Sequence, residues 1–191
     1  MNKILRPNRE EQTLARKKVL AHIPKNAIGA EIGVHLGNYA DKIINISKPK
    51  QFYLIDPWKI VDGNGYDNSL YGKNLTSQEE LDDRYKSVVD RFKDFDNVHI
   101  LREFSNIAAA QIPDDSLDFI YIDGDHTFDG VCKDFDIFYS KIKPYGFIYG
   151  DDYTDRHWFG TGVIDALHKN LHEKKLRLVF LDAEQYCCQK A

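Results

Sequence analysis

Cysteine is scarce. Only Cys132, Cys187 and Cys188 are present, and an odd count with an adjacent pair makes neither a disulfide framework nor a zinc site. No apolar stretch approaches the roughly 18 residues of a membrane span. The N-terminal Met-Asn-Lys-Ile-Leu-Arg-Pro-Asn-Arg-Glu-Glu lacks the apolar centre of a signal peptide. These absences point to the cytoplasm and away from a membrane partner. Basic charge is not in excess either. The 26 Lys and Arg face 30 Asp and Glu, a net charge of −4, which argues against a nucleic-acid partner, since a broad footprint on nucleic acid wants a basic domain. Repeats, low-complexity tracts and linkers are also missing. The 191 residues suffice for one domain with a real core, so residues 1–191 read as a single unit.

What is present is an alternation of helix and strand. Residues 8–21, within an N-terminal segment 1–24, read as a short amphipathic helix with Leu14, Val19 and Leu20 on its apolar side and Pro24 closing it. Strands follow at 28–34, 51–58, 98–102, about 117–122 and 146–150. Helices are expected at 38–46, from Ser77 to about Phe95, at 105–110, at 127–141 and within 157–169. Ser77 and Glu80 stand in capping-box positions. Val131, Phe135 and Phe138 share one helix face. Residues 61–76 hold Gly63, Gly65, Gly72 and five Asn or Asp, and read as a loop, a candidate lid over substrate or a plain insertion. Two last strands, 176–181 and 185–189, are joined by only Asp182-Ala183-Glu184, so if adjacent they must be antiparallel. The expected fold is α/β: a doubly wound, Rossmann-like, seven-stranded sheet, mostly parallel, with an antiparallel C-terminal strand pair.

In such a sheet, ligands bind at the carboxyl ends of the strands, and the chemistry-bearing residues gather there. Strand 117–122 stops in Asp123-Gly124-Asp125-His126. Strand 28–34 carries Glu31-Ile32-Gly33-Val34-His35-Leu36-Gly37, a Glu-x-Gly-x-x-x-Gly spacing that lets a ligand approach backbone and a helix N-terminus, or else is a plain strand-to-helix turn. Asp56 ends the next strand, 19 residues past Gly37, where it can accept from ribose hydroxyls or simply close the strand before Pro57. Together these two motifs favour an adenosine-type ligand. Glu103, Phe104 and Ser105 follow the third strand, at a position that borders an adenine in a doubly wound sheet. Asp151-Asp152 end the strand 146–150. Carboxylates converging with Asp123 repel unless a cation joins them, and their oxygens suit magnesium or calcium; the bland alternative is that they cap helices. Asp125 braces the turn or caps the next helix. His126 is the general-base candidate, its ordinary pKa being near neutrality, against the alternative of a helix-starting histidine. His168 and His172, four apart, read as a solvated helix face. Tyr153, Arg156, His157 and Trp158 are expected to line the same mouth.

The segments Gly29 to Gly37, Tyr53-Leu54-Ile55-Asp56-Pro57-Trp58, Ile122 to Phe128 and Gly150-Asp151-Asp152-Tyr153, in this order, resemble the class I S-adenosylmethionine-dependent methyltransferases. Within that class the chain is similar to the small branch related to the macrolide-sugar O-methyltransferases, of the macrocin O-methyltransferase type, over about residues 27–190. The resemblance implies S-adenosyl-L-methionine as methyl donor, with Glu31, Gly33 and Gly37 along its methionine part and Asp56 on its ribose. It implies a magnesium ion held by Asp123, Asp151 and Asp152, and His126 as base for a small-molecule hydroxyl, a sugar or nucleotide-sugar. The chain lacks the long N-terminal additions of the larger relatives. Its acceptor pocket is then expected from loop 61–76, from the segment after Asp152, or from a second subunit of a homo-oligomer. Two rivals stand beside this reading. One is an NAD-type oxidoreductase on the same architecture, which the glycine spacing disfavours. The other is a non-catalytic cofactor-binding module, which the intact acids and His126 disfavour.

Overall fold

A computed structural model describes residues 7–63 and 66–191. The sequence expectations for residues 1–6 and 64–65 lie outside the described residues. The first helix, α1 (Arg9–His22), begins at Asn8, whose side chain accepts from the Glu10 and Glu11 amides while Glu11 takes the Asn8 amide. This capping box was not anticipated from the sequence. Ala15, Val19 and Leu20 form the buried side of α1, whereas Leu14 is exposed. The helix after the loop, α3 (Gln78–Phe92), does start with the expected reciprocal pair of Ser77 and Glu80.

Between and after them lie β1 (Ile28–Ile32), α2 (Asn38–Ser47), β2 (Gln51–Ile55), β3 (Val98–Leu101), the short α4 (Ser105–Ala108), β4 (Leu117–Ile122), α5 (Phe128–Tyr139), β5 (Ile142–Gly150), α6 (Gly162–Glu173), β6 (Leu176–Asp182) and β7 (Gln185–Lys190). The seven strands form one sheet in the order β3-β2-β1-β4-β5-β7-β6. From β3 to β5 every pairing is parallel; β7 is antiparallel to both β5 and β6. The reversed terminal pair is as expected. Its arrangement adds a detail: β7 turns back to wedge itself between β5 and β6.

Both faces are covered, as a largely parallel sheet requires. Val19, Ile43, Leu81 and Val88 from α1, α2 and α3 pack on one side. Ala108, Val131, Phe135 and Val163 from α4, α5 and α6 pack on the other. Several boundaries moved. β2 ends at Ile55 rather than Trp58, α3 ends at Phe92 rather than Phe95, and α6, expected within 157–169, starts at Gly162 just past Gly160, which sits at φ +59°, and runs on to Glu173. β5 starts at Ile142, four residues early, with its register against β4 shifting between Leu117 and Phe119. Among the described residues no helix is long and apolar enough to cross a membrane.

Candidate active site

The strand order reverses between β1 and β4, and there the two backbones touch. Gly33 sits at φ +88°, and a Cβ on it would lie 1.9 Å from the Asp123 carbonyl oxygen. Only glycine permits both the angle and the approach. Above this point opens a cavity of about 740 Å³, lined by residues following β1 to β5 together with loop 61–76. Glu31, Gly33, Asp56, Glu103, Ser105, Asp123, His126 and Asp152 all line it. Gly37 stands behind the wall as the N-cap of α2, and Asp151 is buried below the floor.

Glu31 is buried, and its Oε2 has no hydrogen-bond partner. Burial, with Asp123 and Asp56 nearby, raises its pKa well above the ordinary value, Arg16 opposing. A buried carboxylate oxygen without a donor costs free energy, so the position calls for a hydrogen-bonding ligand. Asp56 is the opposite case. Its Oδ2 accepts from the Val34 and His35 amides, both at 2.9 Å, its Oδ1 from the Trp58 amide at 2.8 Å, and the Tyr71 hydroxyl reaches both oxygens. Burial still raises its pKa. A ribose hydroxyl would reach Asp56 by taking the place of the Tyr71 hydroxyl.

At the ends of β4 and β5 the His126 imidazole lies between two carboxylates. Nδ1 is 3.0 Å from Asp152 Oδ2, and Nε2 is 3.3 Å from Asp123 Oδ1 without hydrogen-bond alignment. Burial alone would lower the histidine pKa, but Asp123, Asp152 and Asp151 outweigh it and push it up to about 9. One donor atom from each of Asp123, His126 and Asp152 lies within 4.8 Å of the others, a group able to hold a metal ion. Asp152 is held at φ +59°, outside the comfortable range of a non-glycine residue.

The third expected ligand, Asp151, does not join that group. Its Oδ2 pairs with Arg16, and its Oδ1 accepts from the Gln185 side chain and the Asp152 amide. Burial, then Asp123, raises its pKa to about 7 against the pull of Arg16. Asp125 braces the turn, accepting from the Thr127 amide and hydroxyl and from the Tyr66 hydroxyl at 2.6 Å, while Thr127 caps α5. Of the four residues expected at the mouth, His157 and Trp158 line it, with Phe159 beside the His126 ring at 5.1 Å. Tyr153 instead bonds to His168 on α6, and Arg156 pairs with Glu184. Loop 61–76 places Tyr66, Ser69, Leu70 and Tyr71 on the cavity, and Tyr66 meets Trp158 edge to face at 5.4 Å.

Several lining residues were not expected from the sequence, Arg16 and Asp134 among them. Arg16 comes from α1, and no local pattern marks which residue of a surface-like helix will turn inward. Asp134 lies on α5 one position before Phe135, in a segment whose apolar face was evident. It is buried, and burial lifts its carboxyl to about 7, with Ser105 hydrogen-bonded to it. An acid flanked by buried apolar residues on a helix was the available signal.

Comparison with known proteins adds independent findings. Residues 30–153 match the family described as Methyltransferase domain. A stretch of 74 residues is 39% identical to Uncharacterized protein R132 of Acanthamoeba polyphaga mimivirus, taking in 37% of this chain and 33% of that protein. The chain therefore matches about a third of the length of that curated relative. Among solved structures, the fold is similar to O-methyltransferase NovP, with TM-score 0.58, 15% identity, and 94% and 78% of the two chains covered. It is similar to N-methyltransferase NodS from Bradyrhizobium japonicum WM9 in complex with S-adenosyl-L-homocysteine, with TM-score 0.61, 13% identity, and 98% and 89% covered. A SAM dependent methyltransferase from Aquifex aeolicus gives TM-score 0.60, 14% identity, and 91% and 87% covered. At such identities the shared property is the fold.

Proposed function

Because the chain belongs to the methyltransferase-domain family, we propose that it is an S-adenosylmethionine-dependent O-methyltransferase that methylates a hydroxyl of a sugar or nucleotide-sugar with the help of a divalent cation. The observation that carries this reading is the His126 imidazole held between Asp123 and Asp152 on the same cavity as the Gly33 turn. Methyl transfer from a sulfonium to a neutral hydroxyl needs a proton acceptor beside that hydroxyl and little else but alignment and dryness.

The residues fit both groups the reaction requires. The unpartnered Glu31 oxygen suits a donor on the amino-acid arm of S-adenosylmethionine, which supplies the methyl. Asp123 and Asp152 suit a hard cation such as magnesium, which would lower the pKa of a bound hydroxyl. In this reading Asp151 is the anchor of Arg16 and the acceptor for the Asp152 amide rather than a ligand. With the two carboxylates uncompensated, His126 holds its proton up to about pH 9 and is no base at neutrality. A cation held by Asp123 and Asp152 would offset the chief causes of that shift, and Nε2 is the imidazole atom that would accept the proton of the hydroxyl. Tyr66, Trp158 and Phe159 present aromatic faces around the same mouth, the kind of surface on which a sugar ring packs. The net charge of −4 supports a small-molecule partner and not nucleic acid, and we take the cytoplasm as the setting.

A methyl-transfer assay over sugars and nucleotide-sugars, with magnesium or with chelator, tests the reading. His126→Ala is expected to lower turnover by about a hundredfold or more while S-adenosylhomocysteine still binds in calorimetry. Full activity in excess chelator would remove the cation. Binding of NAD in place of S-adenosylhomocysteine would favour the oxidoreductase.

A further inference from the structure

The cavity is acidic. Glu31, Asp56, Glu103, Asp123, Asp125, Asp134 and Asp152 line it, against Arg16 and Lys133 as the lysine or arginine side chains among the described lining residues. The amino-acid arm of S-adenosylmethionine carries an ammonium and a carboxylate. The ammonium suits this environment, and the unpartnered, buried Oε2 of Glu31 is an acceptor waiting for such a donor. The carboxylate does not suit it: placed among these acids it would be repelled unless a fixed cation stands beside it. Arg16 is that cation at the Glu31 end. It acts electrostatically on Glu31 and Asp123 as well as on Asp151.

Its geometry fits the task. Its bond to Asp151 runs through Nη2. The guanidinium offers five N–H donors, and its side chain is 45% exposed, on the cavity wall rather than sunk beneath it. Asp151, itself 2% exposed at the side chain, is held in turn by Gln185 and the Asp152 amide, and Gln185 by the Tyr121 hydroxyl at 2.9 Å. The guanidinium carbon rests 5.8 Å from the centre of the Tyr39 ring. An arginine held through one nitrogen on the wall of a cavity, with further donors in its fork, suits a carboxylate.

We propose that Arg16 of α1 binds the α-carboxylate of the S-adenosylmethionine amino-acid arm, with Asp151 as its positioning residue and Glu31 as the partner of the arm's ammonium. The proposal rests on the methyltransferase reading above and extends it to the N-terminal helix, which lies outside the family-matched segment 30–153.

Calorimetry with S-adenosylhomocysteine and with 5′-methylthioadenosine, which keeps the nucleoside and lacks the amino-acid arm, tests it. Arg16→Gln is expected to raise the Kd of S-adenosylhomocysteine about tenfold to a hundredfold and to leave 5′-methylthioadenosine within about twofold, as loss of one charge-assisted contact requires. Arg16→Lys should recover part of the loss. Equal weakening of both ligands, or of neither, overturns the proposal. A second arm needs the unaltered protein only: S-adenosylhomocysteine must bind more tightly than its decarboxylated analogue, and equal affinity overturns the proposal even if the variants melt early. Failure of the unaltered protein to bind S-adenosylhomocysteine would instead remove the methyltransferase reading on which this one stands.

Discussion

Asp134 shows how a single buried acid couples this site to pH. Its carboxyl sits at about 7 in the folded chain, raised chiefly by burial, against an ordinary value of 3.8. The folded state therefore disfavours the charged form. Below the ordinary value both folded and unfolded chains hold the proton, and the residue costs nothing. As pH rises from about 4 to about 7 the unfolded chain releases its proton first, and stability falls; above 7 the loss is constant. Asp134→Asn should leave stability unchanged near pH 4 and raise it by about 2 to 4 kcal/mol at pH 8, at about 1.4 kcal/mol per pKa unit. Urea unfolding at the two pH values measures this, and a gain independent of pH would contradict it. Residue identities alone carried much of the site. Asp123, His126 and Gly33 were legible because each follows an apolar strand, and Glu31 because an acid inside an otherwise apolar strand has no packing role. Arg16 and Asp151 were not, because their pairing joins positions 135 apart, and an acid in a pair of adjacent acids gives no hint which one turns inward.

At the scale of elements, the loop 61–76 is fastened at two points. Tyr66 holds Asp125 beside the Asp123–His126–Asp152 group, and Tyr71 holds Asp56 just past β2. Asp56 is saturated as it stands, so a cofactor ribose bound there, as proposed above, would compete with Tyr71 for one acceptor. Tyr71→Phe removes the competitor and leaves the carboxylate short of a donor. S-adenosylhomocysteine is then expected to bind up to about tenfold more tightly, the worth of one hydrogen bond, while the ligand-free variant melts lower. Calorimetry decides; weaker binding would mean that Tyr71 supports the ribose site instead of occupying it. The loop's existence was readable from its glycines and Asn/Asp residues. Its two tyrosine clasps were not, since loop composition specifies turns and leaves open where the side chains land. Helix starts were readable where a cap is local, as at Ser77, and β7's place in the sheet was not, because strand adjacency is decided by the packing of both faces at once.

For the molecule as a whole, β7 is the element on which distant parts depend. It pairs with β5 and β6, and its first residue, Gln185, together with the turn before it, meets the site and α1. Gln12 of α1 donates to Glu184 at 2.8 Å, Lys18 reaches Asp182 at 2.8 Å, and Arg16 reaches Asp151. Deleting residues 185–191 should therefore unseat α1 as well as the sheet edge. Hydrogen exchange is expected to show α1 amides losing protection together with those of β5; intact protection of α1 would show that its docking is independent of the last strand. The same wiring has a meaning in time. Gln12 and Glu184 stand 172 positions apart, so joining α1 to the β6–β7 turn closes a very long loop, whereas its packing on the nearby α2 closes a short one. The apolar side of α1 can therefore settle on α2 by a local step, while the Arg16–Asp151 pair on the cavity waits for a contact 135 positions away.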